Sequence, residues 1–218
     1  MVSVISRPRA ELPLAANTLP RVAQDAFKRA FDIVVASAML VFFGPLLLLV
    51  ALLIRLTSPG PVLFRQDRGG LNGRVFTIYK FRSMRCQENG ADIVQATRED
   101  DRITPMGHFI RKTSIDELPQ LLNVLKGDMS LVVPRPHAQA HDAYYGALIP
   151  GYCRRFRARP GLTGLSQIRG LRGATGEIQA MAERVEADVA YIEGWSFWRD
   201  VEIMLLTIPH LLLAENAY

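Results

Sequence analysis

Two adjacent carboxylates, Asp116 and Glu117, are the residues of this sequence best suited to carry out chemistry. They begin a segment with leucines at helical spacing, and Gly127 is expected to end this helix because glycine readily adopts the left-handed conformation that follows helices. Pro119 fits the helix only in its first turn, where its missing N–H would have had no partner. The spacing therefore predicts that Asp116 lies at or beside the N-cap, at the positive end of a helix.

The sequence around this pair supports two interpretations. Ser114 and Glu117 match a capping box, in which the acids are structural. The alternative rests on positive charge that separate segments supply, namely Lys80, Arg82, Arg111, Lys112 and Arg135. These cations exceed what two acids need as partners, and a helix N-terminus lined with cations binds phosphate. One acid would then attack phosphorus while the other manages a proton or a metal.

Arg135 is flanked by Pro134 and Pro136, which restrict the backbone on both sides of it. Such restriction suits a charge that must be held in place. We therefore place Arg135 among the candidate phosphate-binding residues.

The composition points to an anionic partner. The chain has 218 residues, enough for one sizeable core, with a formal net charge of +5 and 49% hydrophobic residues. Nucleic acid, anionic lipid and a phosphorylated substrate all fit this charge, but aromatic residues do not alternate with the basic ones, so nucleic acid is not expected. Phosphate-loop, dinucleotide-binding and zinc-binding motifs do not occur in the sequence.

Residues 31–54 form an apolar run as long as a helix that crosses a hydrocarbon core of roughly 30 Å. Gly44-Pro45 interrupts the run and predicts a break or kink. Basic residues flank both ends: Arg21, Lys28 and Arg29 before it, and Arg55, Arg65, Arg68 and Arg74 after it. Because positive flanks prefer the cytoplasmic side, a re-entrant helix is favoured over a spanning one.

The remaining pattern predicts an α+β fold that is mostly helical. Two β-rich pieces, 61–64 and 75–81, flank a glycine-rich turn and predict a hairpin. Apolar residues at helical spacing predict an amphipathic helix over 178–192. The last stretch, from Trp195 to Leu213, fits either the membrane interface or the core. The predicted parts are a disordered tail (1–20), the re-entrant membrane helix (21–58) and a catalytic domain lying on the membrane (59–218).

These segments together resemble the bacterial sugar transferases, the small monotopic polyprenyl-phosphate phosphoglycosyl transferases. The resemblance runs from about Phe27 to the C-terminus, through PVLFRQDRGGLNGRVFTIYKFRSM, DDRITPMGHFIRKTSIDELPQLLNVLKGDMSLV, PRP, RPGLTGLSQI and YIEGWSFWRDVEIMLLTI. Within this family, the chain is most similar to the short exopolysaccharide-initiating galactosyl or glucosyl phosphotransferases. The resemblance implies a UDP-hexose and undecaprenyl phosphate as substrates, at the cytoplasmic face of a bacterial inner membrane among its lipids, and it leaves a homodimer open.

The same resemblance implies roles for individual residues. Asp116 would attack the β-phosphorus of the UDP-sugar and release UMP, and Glu117 would help to activate the incoming polyprenyl phosphate. Mg²⁺ would sit on Asp116 and the diphosphate. Phosphate groups would be held by Lys80, Arg82, Arg111 and Arg135 with its flanking Pro134 and Pro136, and the membrane bend would fall at Gly44 and Pro45.

The sequence departs from the family pattern at Val133, where glycine is usual, and at Ser166, where tryptophan is frequent. A valine at Val133 would be costly if that position needs a positive φ. Two other functions stay open: direct glycosyl transfer, which releases UDP, and a basic scaffold on the membrane surface.

Overall fold

The computed structural model describes residue 22 and residues 25–85, 100–171 and 178–213, and in the last segment the side chains up to residue 210. The predicted tail, 1–20, lies outside these residues. The described chain is mostly helical, in this order: α1 (Ala26–Thr57), β1 (Leu63–Gly69), β2 (Val75–Phe81), α2 (Pro105–Lys112), α3 (Leu121–Lys126), β3 (Ser130–Val132), α4 (Gln139–Leu148), β4 (Gly161–Thr163), α5 (Leu165–Ile168), α6 (Ile178–Glu193) and α7 (Phe197–Leu213). Short 3₁₀ helices cover Leu71–Gly73, Ile115–Gln120 and Tyr152–Arg157.

Helix α1 is continuous over 32 residues, with Pro45 inside it. Asp25 caps its start by accepting the Lys28 N–H at 2.7 Å. The predicted break at Gly44-Pro45 was therefore wrong, because one proline removes one helical hydrogen bond while the remaining bonds of a long apolar helix persist. A bend of the axis at this point stays a prediction. By its length and composition, α1 is long and apolar enough to cross a membrane.

Both ends of α1 pack against the rest of the chain. Near its start, Lys28 Nζ lies 2.7 Å from Asp200 Oδ2 of α7, and Asp32 accepts a 2.7 Å hydrogen bond from Ser130 Oγ of β3. Near its end, Ile54 packs with Ile110 of α2. Between these contacts, large apolar side chains are exposed: Val34, Val41, Phe42, Leu48, Leu49 and Leu52. Lys28 is thus a buried ion-pair partner as well as part of a positive flank.

The predicted hairpin is confirmed. Strands β1 and β2 pair antiparallel from Leu63↔Phe81 to Gly69↔Val75, and the turn between them contains Asn72 with a φ of 56°. Strand β1 runs further than the sequence predicted, through to Gly69. This length matters because it carries Arg68 to the end of the hairpin.

A second, parallel sheet of two strands lies beside the hairpin, with Ser130 opposite Gly161 and Val132 opposite Thr163. A side chain at Gly161 could not fit, since its Cβ would lie 2.1 Å from the Val133 carbonyl oxygen. Val133 is buried and is not one of the described non-glycine residues with positive φ. Valine is therefore tolerated at this position.

The amphipathic helix predicted over 178–192 is confirmed as α6, which buries Met181, Val185 and Ile192. Helix α7 fits both interpretations of the last stretch in part. Ile203 is buried in the core, whereas Trp198 is 77% exposed. Leu205 and Ile208 are exposed as well. Membrane contact by this face of α7 stays a prediction.

Candidate active site

The two acids lie in the 3₁₀ helix Ile115–Gln120, ahead of the α-helix that begins at Leu121. Pro119 has no N–H, so it cannot donate the α-helical hydrogen bond to the carbonyl of Ile115. Ser114 adopts a left-handed φ of 55° and its side chain makes no capping hydrogen bond. The prediction of a capping box was therefore wrong. The two acids do lie in the first turn of a helical segment, next to its N-cap, but that turn is 3₁₀ and not α-helical. Gly127 ends α3 with a φ of 93°, as predicted.

Glu117 is held by two cations. Lys80 Nζ lies 3.1 Å from Glu117 Oε1, and the Arg135 guanidinium donates to both carboxylate oxygens, Nη1 to Oε2 and Nη2 to Oε1, at 2.5 Å each. This two-pronged geometry is the strongest form of a carboxylate–guanidinium contact. Burial disfavours the charge of Arg135, but Glu117 outweighs this effect and raises the pKa of the guanidinium. Glu117 therefore fixes two of the predicted phosphate-binding cations.

Asp116 is buried, with only 8% of its surface exposed, but among the described residues its carboxylate is not held by cations as that of Glu117 is. None of the residues that the structure describes donates a hydrogen bond to its carboxylate or pairs with it. The pKa of Asp116 is raised from its ordinary 3.8 to about 6, first by burial and then by the charge of Glu117. The cations Lys80, Arg111 and Arg135 oppose this shift. The carboxylate oxygens of Asp116 are thus left for a ligand or a reacting group.

The structure brings three of the four predicted phosphate-binding cations to the acids. Lys80 and Arg135 contact Glu117, and Arg111 acts on the charge of Asp116. Arg82 has a different place: it donates to the carbonyl oxygens of Pro59, at 2.5 Å, and Ser58, at 2.8 Å. Its described hydrogen bonds thus join the hairpin to the end of α1.

Hydrogen bonds hold the backbone on either side of the Pro134–Arg135 peptide bond. Pro134 is buried, and its carbonyl accepts the Gly161 N–H at 2.9 Å. Pro136 is half-buried and, with Pro134, borders a small cleft next to Gly69 and Gly70 of the hairpin.

Arg155 binds the backbone of Arg135, a contact that the sequence analysis did not predict. Its Nη2 donates to the Arg135 carbonyl at 2.7 Å, and its Nε donates to Asp188 Oδ2 at 2.8 Å. Burial raises the pKa of Asp188, and the side chains of Arg155 and Ser166 oppose this shift, so one of the departures from the family pattern has a polar role here. A signal existed in the sequence: Asp188 lies on the buried face of α6, where an acid needs a partner.

Asn123 joins α3 to strand β2 of the hairpin through two hydrogen bonds. It is fully buried, accepts the Tyr79 N–H at 3.0 Å and donates to the Thr77 carbonyl at 2.7 Å. Because Tyr79 precedes Lys80 in β2, these two hydrogen bonds place Lys80 beside the acids. Asparagine thereby pairs backbone groups that the hairpin leaves open.

The site offers one protein carboxylate, that of Asp116, as a ligand for a metal ion. Among the described residues there is no group of three or more His, Cys, Asp or Glu side chains that could hold a metal. Mg²⁺ is commonly bound by one or two carboxylates together with substrate phosphates. Asp116, with no described donor on its oxygens, fits this kind of site and Glu117, held by two cations, does not.

The chain belongs to the bacterial sugar transferase family, whose model matches residues 23–214. It is 60% identical over 200 residues to a Caulobacter vibrioides UDP-glucose:undecaprenyl-phosphate glucose-1-phosphate transferase, covering 92% of this chain and 75% of the relative. It is 50% identical over 191 residues to an Escherichia coli protein of the same name, covering 88% of this chain and 41% of the relative. A Rhizobium leguminosarum exopolysaccharide production protein is 47% identical over 187 residues, covering 83% and 92%. The chain thus spans less than half of the Escherichia coli relative.

Proposed function

We propose that this chain transfers a hexose 1-phosphate, with glucose as the favoured sugar, from a UDP-sugar to undecaprenyl phosphate. The names of the Caulobacter vibrioides and Escherichia coli relatives support the two substrates. The observation that carries the proposal is the contrast between the acids: Asp116 has no described partner, while Glu117 is held by Lys80 and Arg135. A carboxylate with unoccupied oxygens among cations is suited to attack a phosphate.

The proposed reaction has two steps. An Asp116 oxygen forms a bond to the β-phosphorus of the UDP-sugar as the bond between that phosphorus and the bridging oxygen breaks, and UMP leaves with the electron pair. An oxygen of undecaprenyl phosphate then attacks the same phosphorus. The bond to Asp116 breaks, which restores the carboxylate and yields a lipid diphosphate sugar. Lys80 and Arg135 stabilise the charge on the phosphate oxygens in both steps.

The contacts of Glu117 favour an orienting role in this scheme. Both of its oxygens already accept hydrogen bonds from cations. We therefore assign it to positioning Lys80 and Arg135, which differs from the role of activating group that the family resemblance implies. Mg²⁺, held by Asp116 and the diphosphate, would neutralise phosphate charge when bound.

We also propose that α1 dips into the cytoplasmic face of the inner membrane and returns. Lys28 and Ile54, which both contact the rest of the domain, are separated by about 39 Å along an α-helix, more than the roughly 30 Å of a hydrocarbon core. A straight crossing would put parts of one packed domain on opposite sides of the membrane. The exposed apolar residues of α1 and α7 supply a surface for lipid.

The test uses the full chain in detergent with radiolabelled UDP-glucose and undecaprenyl phosphate. The proposal expects the wild type to release UMP and to load the lipid, and expects Asp116→Asn to do neither at a measurable rate. Release of UDP by the wild type would instead indicate direct glycosyl transfer. Near-normal UMP release by Asp116→Asn would remove Asp116 as the nucleophile.

A further inference from the structure

Arg68, next to the last residue of β1, has no acidic side chain within 4 Å among the residues that the structure describes. Its Nη2 donates to Gln66 Oε1, a neutral oxygen, and its Nε is buried with no hydrogen-bond partner among the described residues. The ion pairs within 4 Å in the described chain involve other cations: Lys28, Lys80, Arg102, Arg135, Arg154 and Arg155. Arg68 is half-buried, and a partly desolvated cation with no counter-ion in hydrogen-bond reach favours the binding of an anion.

The fold holds Arg68 beside the candidate active site. Its backbone forms an isolated antiparallel bridge with Ala138, just after the Pro134–Arg135–Pro136 segment. The next residue, Gly69, allows close packing there, since a Cβ would lie 2.6 Å from Asp142 Oδ2 and 2.8 Å from a Phe156 ring atom. These contacts hold the backbone of Arg68 next to this segment and to α4.

The charged groups that act on Arg68 include Arg135 and Glu117 of the candidate active site. Burial lowers the pKa of Arg68 to about 10, Arg135 lowers it as well, and Asp142 and Glu117 act in the opposite direction. Arg68 likewise disfavours the charge of Lys80. Four cations act on this site, Arg68, Lys80, Arg111 and Arg135, against three acids, Asp116, Glu117 and Asp142. The excess of positive charge matches an anionic ligand.

We propose that Arg68 is a further substrate-binding residue, which contacts a phosphoryl group of a substrate from the hairpin side of the Arg135–Glu117 pair. This inference rests on the proposed function. The phosphoryl group belongs either to the diphosphate of the sugar nucleotide or to the lipid acceptor, and the two substrates are varied separately in the test. A purely structural role, bracing Gln66, is the competing explanation.

The experiment compares Arg68→Met and Arg68→Lys with a matched control, Arg65→Met. Arg65 is exposed and lies three residues earlier in β1, so it projects from the opposite face of the strand. KM and kcat are measured for UDP-glucose and for undecaprenyl phosphate, together with the Tm of each variant. Arg68→Met is expected to raise one of the two KM values about tenfold or more, the loss typical of a charge-assisted hydrogen bond, without lowering the Tm. Arg68→Lys is expected to lie between it and the wild type, and Arg65→Met to stay within about twofold of the wild type.

The substrate whose KM rises identifies the source of the phosphoryl group. The inference is overturned if Arg68→Met leaves both KM values unchanged, or if it lowers Tm and kcat while Arg68→Lys restores the Tm with both KM values normal. Turnover by the wild type is measured first, because its absence would overturn the proposed function alone. In that case, dissociation constants of UMP and uridine for the same variants decide the role of Arg68, which should affect only the phosphorylated ligand.

Discussion

Arg135 donates one hydrogen bond to each carboxylate oxygen of Glu117, both at 2.5 Å. The pair joins the segment between β3 and α4 to the 3₁₀ helix that carries Asp116, and Lys80 adds the hairpin to the same carboxylate at 3.1 Å. Three segments distant in sequence thus meet at one side chain. The neighbouring Asp116 receives no such contact from the described residues and keeps its oxygens for chemistry.

Replacing Arg135 by lysine should reduce turnover strongly, because lysine keeps the charge but cannot donate to both oxygens. We expect kcat/KM to fall about 100-fold, corresponding to roughly 2–3 kcal/mol for lost charge-assisted hydrogen bonds. Initial rates of UMP release measure this effect. Arg154→Lys is the matched control, since the Arg154–Glu193 pair lies on the surface. An equal loss in both variants would contradict a special role for the Arg135 contact.

Asp116→Asn should stabilise the metal-free protein at alkaline pH while abolishing transfer. The pKa of Asp116 is raised from 3.8 to about 6 in the folded state, so its contribution to stability is complete below pH 3.8 and is lost as pH rises through about 6. Above that range the ionised carboxylate costs roughly 3 kcal/mol. Thermal unfolding in EDTA at pH 8 and pH 4 measures the effect. We expect a higher Tm for the variant at pH 8 and little difference at pH 4, and a lower Tm at both pH values would contradict it.

Lys28→Met should loosen α1 from the domain. The change leaves Asp200, which is 1% exposed, without its cation, although Tyr191 and Trp195 still donate to it at 2.5 and 3.1 Å. Breaking a buried pair typically costs about 3–5 kcal/mol. The Tm of the detergent-solubilised protein measures the loss, and the double variant Lys28→Met with Asp200→Leu should recover part of it. A Tm no lower than that of the surface variant Arg154→Met would rule out this role.

Cysteine labelling in membranes tests the path of α1. In a background with Cys86 and Cys153 replaced by serine, single cysteines at Ser3 and at Arg74 lie before and after the helix. A re-entrant helix puts both on the cytoplasmic side, so both should resist an impermeant reagent applied from outside and react once the membrane is opened. Reaction of only one site from outside would indicate a spanning helix.

Much of this protein could be predicted from local pattern. The hairpin follows from its glycine-rich turn, the end of α3 follows from Gly127, and α6 follows from its 3.6-residue period. These features depend on neighbours in sequence. The break at Gly44-Pro45 failed as a prediction because local propensity at one proline was weaker than the hydrogen bonding of the whole helix.

Side-chain partners across the fold could not be predicted in the same way. Arg68 lies in β1 and Arg82 directly follows β2, yet Arg82 binds backbone oxygens near the end of α1, whereas Arg68 lies among the charges of the site. Arg155 is one of four arginines between 154 and 159, and only the packing of α6 shows that it reaches Asp188 and supports Arg135. Periodicity assigns a residue to a face, but it does not say which segment covers that face.

The sequence by itself determined the class of elements and the candidate groups: an apolar helix, a hairpin, adjacent acids and an excess of cations. Only the tertiary structure decided the division between the acids, because Glu117 meets Lys80 and Arg135 from distant segments while Asp116 meets no described donor. Adjacent residues on a 3₁₀ helix point in directions about 120° apart, so they face different surroundings. Those surroundings are set by long-range packing, which local sequence does not encode.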